Sequence, residues 1–276
     1  MIVFTDIDGT LYDYHGIMPD STKEAIRKLK ENGHRIYMVT GRSKAENKDE
    51  LWDLSFNGII CANGAYIEDE GKVIYHKSLS CEQCQHIVDW CKEKDLSFYE
   101  ESNNGLFPSE NFYRRAGKAI NVYRYGSSNG HEDLSEEEID QMFHGMVKSE
   151  DLYRDDVNKI SFILNSYEDY LEAVKEFPDL KVGIWGGKGE EAIFGDVSIY
   201  TDKAEAIAIL LDYLNEDVKN TFAIGDSETD IPMLKYCGIG IAVNSGSKET
   251  KAVADYVTDD VDKDGFYKAM KHYNLI

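Results

Sequence analysis

Three short polar clusters in this chain each directly follow an apolar run, and two of them contain two aspartates each. They are DIDGT at 6–10, TGR at 40–42 and GDSETD at 225–230. Aspartates in such clusters can act as nucleophiles, as general acids or bases, or as metal ligands. The clusters are therefore the first candidates for chemistry, although most of the chain separates the first from the last.

Four aspartates in these clusters would repel one another strongly if the fold brought them to one place. They are Asp6, Asp8, Asp226 and Asp230. A hard divalent cation with oxygen ligands would offset that repulsion, and Mg²⁺ is the simplest choice. The alternative is that each aspartate only caps the helix that follows it. Two aspartate clusters and a third polar cluster, all directly after apolar runs, favour a shared cation site over separate helix caps.

The elements around the clusters predict a parallel sheet that would bring them together. Apolar runs of strand length alternate with helical patterns towards both ends of the chain. These runs lie at 2–5, 36–40, 58–61, 221–224 and 239–243. The carboxyl ends of parallel strands share one edge of a sheet, where ligands bind. We therefore predict an α/β fold with a doubly wound parallel sheet as its core.

The middle of the chain has a different pattern. Apolar runs separated by turn residues predict hairpins at 66–75 and 180–194, and helical and strand patterns alternate between them. This predicts an α+β unit over 66–190, inserted into a core formed by 1–65 and 191–276.

Composition excludes several classes of partner. Lys and Arg number 30 against 52 Asp and Glu, a formal net charge of −22. This charge argues against a nucleic-acid backbone or an anionic membrane as the main partner. The N-terminus enters a strand pattern at once, and no apolar run reaches the roughly 18 residues of a membrane span. We therefore expect a cytoplasmic protein.

A C-x-x-C pair, Cys81 and Cys84, lies close to His86 and can indicate zinc or redox chemistry. Another interpretation is favoured, because Ser80 and Gln83 form a capping box at the start of a helical pattern. Cys84 and Cys91 then fall on the apolar face of that helix.

The ordered motifs resemble those of the haloacid dehalogenase superfamily of phosphotransferases. The resemblance covers nearly the whole chain and consists of DIDGT, Thr40 within MVTGR, Lys203 after the insertion, and GDSETD. NGAYI at 63–67 and the late DYVT and DGF are similar to the Cof-type sugar-phosphate phosphatases, which carry an α+β cap over a Rossmann-like core. The resemblance implies that the cap reads the leaving group of the substrate.

The same resemblance implies a role for each motif residue. Asp6 would attack phosphorus to form an aspartyl-phosphate, and Asp8 would protonate the leaving alcohol and then deprotonate water. Mg²⁺ would bind the Asp6 carboxylate, the Asp8 backbone carbonyl and Asp226, with Asp230 as a direct or water-mediated ligand. The phosphoryl oxygens would be held by Thr40, Lys203 and backbone N–H groups at Ile7 and Gly41.

Two positions depart from the family pattern. Ala204 follows Lys203 where glycine is usual, which suits a helix beginning at the lysine. Thr229 stands where asparagine is usual, and its hydroxyl can still donate one hydrogen bond to phosphate.

These observations predict a Mg²⁺-dependent phosphatase of a small phosphorylated metabolite. A phosphomutase on the same fold, or a catalytically idle binding module, are the alternatives, and the intact Asp6 and Asp8 pair argues against the idle module. The sequence does not name the substrate or the oligomeric state.

Overall fold

The chain forms two compact units in a computed structural model that describes residues 1–13, 15–47, 49–126, 131–149, 151–187 and 189–276. The larger unit comprises 1–42, 48–76 and 201–276, and the smaller comprises 43–47 and 77–200. No helix in the described ranges is long and apolar enough to cross a bilayer.

The secondary structure alternates between strands and helices along most of the chain. The strands are β1 (Ile2–Thr5), β2 (Arg35–Val39), β3 (Gly58–Cys61), β4 (Tyr66–Asp69), β5 (Lys72–His76), β6 (Ser97–Ser102), β7 (Leu106–Pro108), β8 (Val157–Ile163), β9 (Lys181–Trp185), β10 (Phe194–Ser198), β11 (Thr221–Gly225), β12 (Ile239–Val243) and β13 (Tyr256–Thr258). The helices are α1 (Asp20–Glu31), α2 (Asp49–Trp52), α3 (Cys81–Glu93), α4 (Phe112–Tyr125), α5 (Glu136–Met142), α6 (Tyr167–Glu176), α7 (Lys203–Leu214), α8 (Ile231–Tyr236), α9 (Lys248–Val253) and α10 (Gly265–His272).

The larger unit is built on an eight-stranded sheet in the order β13-β12-β11-β1-β2-β3-β4-β5. The strands from β13 to β3 pair in parallel, and β4 and β5 continue the sheet antiparallel. Apolar side chains of α1 and α10 pack on one face, and those of α7 and α8 pack on the other. Burial on both faces explains why these strands are continuous apolar runs. The predicted α/β class with a doubly wound sheet is confirmed.

The smaller unit has an antiparallel five-stranded sheet in the order β7-β6-β8-β10-β9. Trp90 of α3 packs on Phe162 at one face, while Phe112 of α4 packs on Tyr99 at the other. The sheet thus has helices on both faces, in agreement with the predicted α+β insertion. The helix α4 was not among the predicted elements.

The limits of the two units differ from the predicted boundaries of 66 and 190. The hairpin of β4 and β5 belongs to the larger sheet, and β10 belongs to the smaller one. The hairpin of β4 and β5 belongs to the larger sheet because β4 pairs with an edge of β3 that would otherwise have unpaired backbone groups. Residues 43–47 also join the smaller unit, where Asn158 donates to the Ser43 hydroxyl at 2.9 Å.

A buried hydrogen bond between β2 and β4 allows a test of whether the hairpin of β4 and β5 belongs to the larger sheet. The Tyr37 hydroxyl of β2 donates to Asp69 Oδ1 of β4 at 2.6 Å. We expect Tyr37→Phe to lower the free energy of unfolding by about 2 kcal/mol, because a buried carboxylate loses its donor. Urea denaturation measures this. Tyr213→Phe is the matched control, since that side chain is exposed. Equal stabilities of the two variants would contradict the buried contact.

Candidate active site

Three buried aspartates gather at the carboxyl ends of β1 and β11, which are neighbours in the larger sheet. Asp6 directly follows β1, and its N–H donates to the Ile224 carbonyl at 2.9 Å. Asp226 directly follows β11, and Asp230 closes the short 3₁₀ turn Glu228–Asp230. One carboxylate oxygen from each aspartate lies within 4.8 Å of the others. The shared sheet edge therefore brings the first and last clusters together.

Lys203 supplies the positive charge within this group. It is the first residue of α7, whose preceding residue Asp202 accepts a hydrogen bond from the Glu205 N–H at 2.9 Å. The Lys203 side chain is 1% exposed, and its Nζ lies 2.6 Å from Asp6 Oδ1 and 2.5 Å from Asp230 Oδ1. The start of α7 thus places one ammonium between two carboxylates.

Hydrogen bonds engage both oxygens of Asp230. Oδ1 accepts from Lys203, while Oδ2 accepts from the N–H groups of Asp226 and Ser227 and from the Ser227 hydroxyl. A Cβ atom at Gly225 would lie 2.5 Å from the Asp230 carboxyl carbon, so only glycine fits there. These contacts favour a positioning role for Asp230, which orients Lys203 and the backbone at Asp226.

Burial and charge shift the proton affinities of this group. Burial, together with Asp230 and Asp226, raises the pKa of Asp6 well above its usual range, although Lys203 opposes the shift. Burial disfavours a charged Lys203, but Asp230 and Asp6 outweigh this effect and raise its pKa. The lysine therefore stays protonated among carboxylates that repel one another.

Asp8 lies apart from the buried group. Its side chain is exposed and is held by Arg42, whose Nε donates to Oδ2 at 2.8 Å and whose Nη2 donates to Oδ1 at 2.7 Å. Such a two-bond contact fixes the orientation of the carboxylate. Both side chains are more than a third exposed, so solvent screens the pair and its effect on stability is small.

The TGR cluster follows β2 at the same sheet edge. Thr40 is 2% exposed, and its Oγ1 accepts a hydrogen bond from the Arg42 N–H at 3.1 Å, so its hydroxyl proton can be donated elsewhere. Gly41 packs against Asn63, whose Oδ1 would lie 3.3 Å from a Cβ at position 41. Asn63 has a left-handed backbone with φ of 53°, and its Oδ1 is buried without a hydrogen-bond partner. Asn63 therefore holds a polar atom beside the predicted phosphate-binding loop.

Two other predicted residues have different surroundings. The Ile7 side chain is in the apolar core, so only its backbone can serve a phosphate. Its carbonyl accepts from the N–H groups of Leu11 and Tyr12, which closes the turn after β1. Thr229 is exposed, and its hydroxyl lies 2.7 Å from the Ser227 hydroxyl.

Sequence reasoning did not single out two features that contact Asp226. The Thr10 hydroxyl, fully buried, donates to Asp226 Oδ1 at 3.3 Å. The Ser247 N–H donates to the Asp226 carbonyl at 2.9 Å, and Gly246 allows the close approach of this loop. Thr10 could have been found as the last residue of DIDGT. The Ser247 loop carries no signal of its own, because it depends on the neighbouring strand β12.

The donor set fits a hard divalent cation. Carboxylate oxygens are its preferred ligands, and the described residues contain one group of three suitable side chains, namely Asp6, Asp226 and Asp230. Cys81, Cys84 and His86 form no such group, and His86 Nε2 instead lies 2.8 Å from Glu176.

The repulsion of Asp6 by Asp226 and Asp230 predicts how the stability of the fold depends on pH. Asp6 binds a proton more tightly in the folded than in the unfolded state, so stability falls as pH rises from its usual pKa of 3.8 towards the raised value. In EDTA, we expect Asp6→Asn to raise the free energy of unfolding by about 1 kcal/mol at neutral pH, and this gain should vanish below pH 3.8. Urea denaturation against pH measures it.

The exposed Asp20→Asn variant is the control and should change stability by less than about 0.5 kcal/mol. A loss of stability in Asp6→Asn at neutral pH would show that the Lys203 contact outweighs the repulsion.

Known proteins resemble this chain in sequence and in fold over nearly its full length. The sequence model of the haloacid dehalogenase-like hydrolases matches residues 3–270. Phosphatase YwpJ of Bacillus subtilis (strain 168) is 25% identical over 287 residues, which covers 98% of this chain and 99% of the relative. The 5-amino-6-(5-phospho-D-ribitylamino)uracil phosphatase YcsE of the same organism is 25% identical over 276 residues, with coverage of 99% and 96%.

A solved structure supports the same family assignment. BT4131, described as a HAD subclass IIB sugar phosphatase, matches with a TM-score of 0.75 and 26% identity, over 100% of this chain and 99% of that one. The motif order had predicted the same family. The chain therefore belongs to the haloacid dehalogenase-like hydrolase family and is a hydrolase of the phosphatase type.

Proposed function

We propose that this chain is a Mg²⁺-dependent phosphatase that hydrolyses a small phosphorylated metabolite through an aspartyl-phosphate on Asp6. The observation that carries the proposal is the placement of the Asp6 carboxylate, which is buried beside Asp226 with one oxygen on Lys203. A carboxylate held in this way has a fixed orientation towards an incoming phosphate.

Asp6 acts as the nucleophile. Lys203 occupies Oδ1, so Oδ2 is the oxygen that attacks phosphorus. The new bond joins Oδ2 to phosphorus as the bond from phosphorus to the leaving oxygen breaks. Water then attacks the aspartyl-phosphate, which releases phosphate and restores the Asp6 carboxylate.

Asp8 transfers the protons of both steps. It gives a proton to the leaving oxygen and, as a carboxylate, takes one from the attacking water. Arg42 donates to both oxygens of the Asp8 carboxylate and so fixes its orientation. For the first step, Asp8 must turn away from Arg42 and carry a proton.

The phosphoryl oxygens are bound by donors from all three clusters. Lys203 contributes an ammonium, Thr40 a hydroxyl, and Ile7 and Gly41 backbone N–H groups. The exposed Thr229 hydroxyl is a further donor once it turns from Ser227. These donors offset the charge of a dianionic phosphate in a chain with a net charge of −22.

Asp6, Asp226 and the Asp8 carbonyl are the proposed Mg²⁺ ligands. Asp230 is assigned a contact through water, because hydrogen bonds already engage both of its oxygens. When bound, Mg²⁺ supplies positive charge to the phosphoryl oxygens and lowers the repulsion between phosphate and Asp6.

The comparisons support a sugar phosphate or a related polyol phosphate as substrate. BT4131 is described as a sugar phosphatase, and YcsE as a phosphatase of a ribitylaminouracil phosphate. We assign recognition of the leaving group to the smaller unit, which takes the place of the cap predicted over 66–190.

The first test measures phosphate release from p-nitrophenyl phosphate and from a panel of sugar phosphates. We expect Asp6→Asn to lower kcat by at least about 10⁴-fold, because an amide cannot form the acyl-phosphate. EDTA should abolish wild-type activity, and excess Mg²⁺ should restore it. Acid-quenched wild-type enzyme should carry phosphate on Asp6. Asp20→Asn serves as the control with unchanged turnover.

Near-normal kcat in Asp6→Asn would refute the nucleophile. Isomerised sugar phosphate with little free phosphate would instead identify a phosphomutase.

The second test concerns the metal. Mg²⁺ that binds only the folded state adds RT ln(1 + [L]/Kd) to stability, or about 2.7 kcal/mol at a hundredfold excess over Kd. For a chain of this size, we expect Tm to rise by several degrees, about 2–4 °C per kcal/mol. Asp226→Ala removes a ligand and should abolish both the rise and the activity. A wild-type melting curve that is indifferent to Mg²⁺ and EDTA would refute the metal site.

A further inference from the structure

Two cysteines lie on the first turn of α3, far along the chain from every residue assigned to the active site. Cys81 is the first helical residue and is exposed, whereas Cys84, three residues on, is fully buried. Ser80 caps the helix, since its hydroxyl accepts from the Gln83 N–H at 3.1 Å. Residues three apart on a helix are surface neighbours, so the capped turn holds the two thiols side by side.

A buried carboxyl group lies beneath Cys84. Glu100 of β6 faces α3 and is 0% exposed, and its Oε1 lies 3.4 Å from Cys84 Sγ. Its Oε2 is buried without a hydrogen-bond partner. An alternative acceptor for the thiol, the Leu152 carbonyl, is more distant at 3.8 Å. The packing of α3 on the sheet therefore places a buried carboxyl group, whose only described hydrogen-bond donor is this thiol, against Cys84.

Burial raises the pKa values of both Glu100 and Cys84. Burial raises the pKa of Glu100 to about 8, while Arg154 opposes the shift and Asp156 and Asp151 add to it. Burial and Glu100 raise the pKa of Cys84 to about 12. Cys84 is therefore a protonated thiol at neutral pH that needs a base before it can attack.

We propose that Cys81 and Cys84 form a reversible dithiol–disulfide site, with Glu100 as the group that takes the proton from Cys84. The site is chemically independent of the phosphatase assignment, because its residues lie in the smaller unit and take no part in the proposed phosphoryl transfer. The partner class is a low-molecular-weight disulfide, since only Cys81 is open to solvent.

The reaction has two exchange steps that balance. The Cys81 thiolate attacks one sulfur of the small disulfide, forms a mixed disulfide and releases one thiolate. The carboxylate form of Glu100, a minority below its pKa of about 8, takes the proton of Cys84. The Cys84 sulfur then attacks Cys81 Sγ and releases the second thiolate. Two protein thiols are oxidised and one small disulfide is reduced to two thiols. Excess dithiol reverses both steps.

A disulfide bond between Cys81 and Cys84 requires a local movement that brings their Cβ atoms closer together. Cβ atoms at this spacing on a helix lie about 5–6 Å apart, and a disulfide needs about 3.5–4.5 Å. The N–H of the first helical residue makes no intrahelical hydrogen bond, which leaves Cys81 less constrained than residues further into the helix. The Cys84 N–H bond to the Ser80 carbonyl, at 2.8 Å, keeps the second cysteine in place.

The test incubates the folded, full-length protein with oxidised glutathione and follows intact mass and free thiols over time. We expect the wild type to lose two of its five thiols, with Cys81 joined to Cys84 in the peptide map and no glutathione retained. Cys84→Ser should stop at a stable glutathione adduct on Cys81. Cys81→Ser should keep all of its remaining thiols.

The role of Glu100 is tested by the rate of closure from the mixed disulfide. Glu100→Gln should slow this step by at least about tenfold, so that the adduct accumulates. Glu82→Gln is the matched control, because that exposed carboxylate adjoins Cys81 and should leave closure unchanged. Glu100→Asp, which withdraws the carboxylate from Cys84 but keeps its charge, replaces Glu100→Gln if the latter melts below the assay temperature.

Three results would overturn the proposal. They are a wild type that keeps five free thiols, a wild type that stops at the glutathione adduct, and a Cys81→Ser variant that still loses two thiols. Closure at the wild-type rate in both Glu100 variants would remove Glu100 from the mechanism.

Discussion

The contact of Lys203 with Asp6 and Asp230 is the interaction on which the candidate site depends. The chain has a net charge of −22, and three of its carboxylates are buried within reach of one another. Without a cation, this arrangement would be unstable as a set of ionised groups. Lys203 reduces the repulsion and also fixes the orientation of the nucleophile, so one ammonium serves both folding and the proposed chemistry.

The larger sheet is what makes this contact achievable. Asp6 and Lys203 are 197 residues apart in sequence. The parallel pairing of β1 with β11 sets Asp6 beside Asp226, and the capped start of α7 delivers the lysine. Parallel strands place all their carboxyl ends at one edge, so each cluster needs only to follow its own strand.

Two adjacent carboxyl groups of β6 in the smaller unit have different partners, because they lie on opposite faces of the strand. Glu101 accepts a hydrogen bond from the Ser161 hydroxyl and forms an ion pair with Lys159, whereas Glu100 on the opposite face has a thiol as its hydrogen-bond donor. Burial of a carboxyl group with so weak a partner favours its protonated form. The C-x-x-C pair, which is typical of an ordinary helix face in sequence, therefore has a buried carboxyl group with a raised pKa beside it in three dimensions.

The sequence by itself determined the fold class and which residue types meet at the sheet edge, because hydrophobic period and strand-end motifs are local signals. It also determined the family, through the order of DIDGT, TGR, Lys203 and GDSETD. Tertiary structure alone decided that the β4–β5 hairpin completes the larger sheet, since hairpin patterning is the same whichever sheet the hairpin joins. It likewise decided that Asp8 pairs with Arg42, that Thr10 supports Asp226, and that Glu100 lies under Cys84. Each of these contacts joins residues from different elements, and their distances depend on how strands and helices pack rather than on any local pattern.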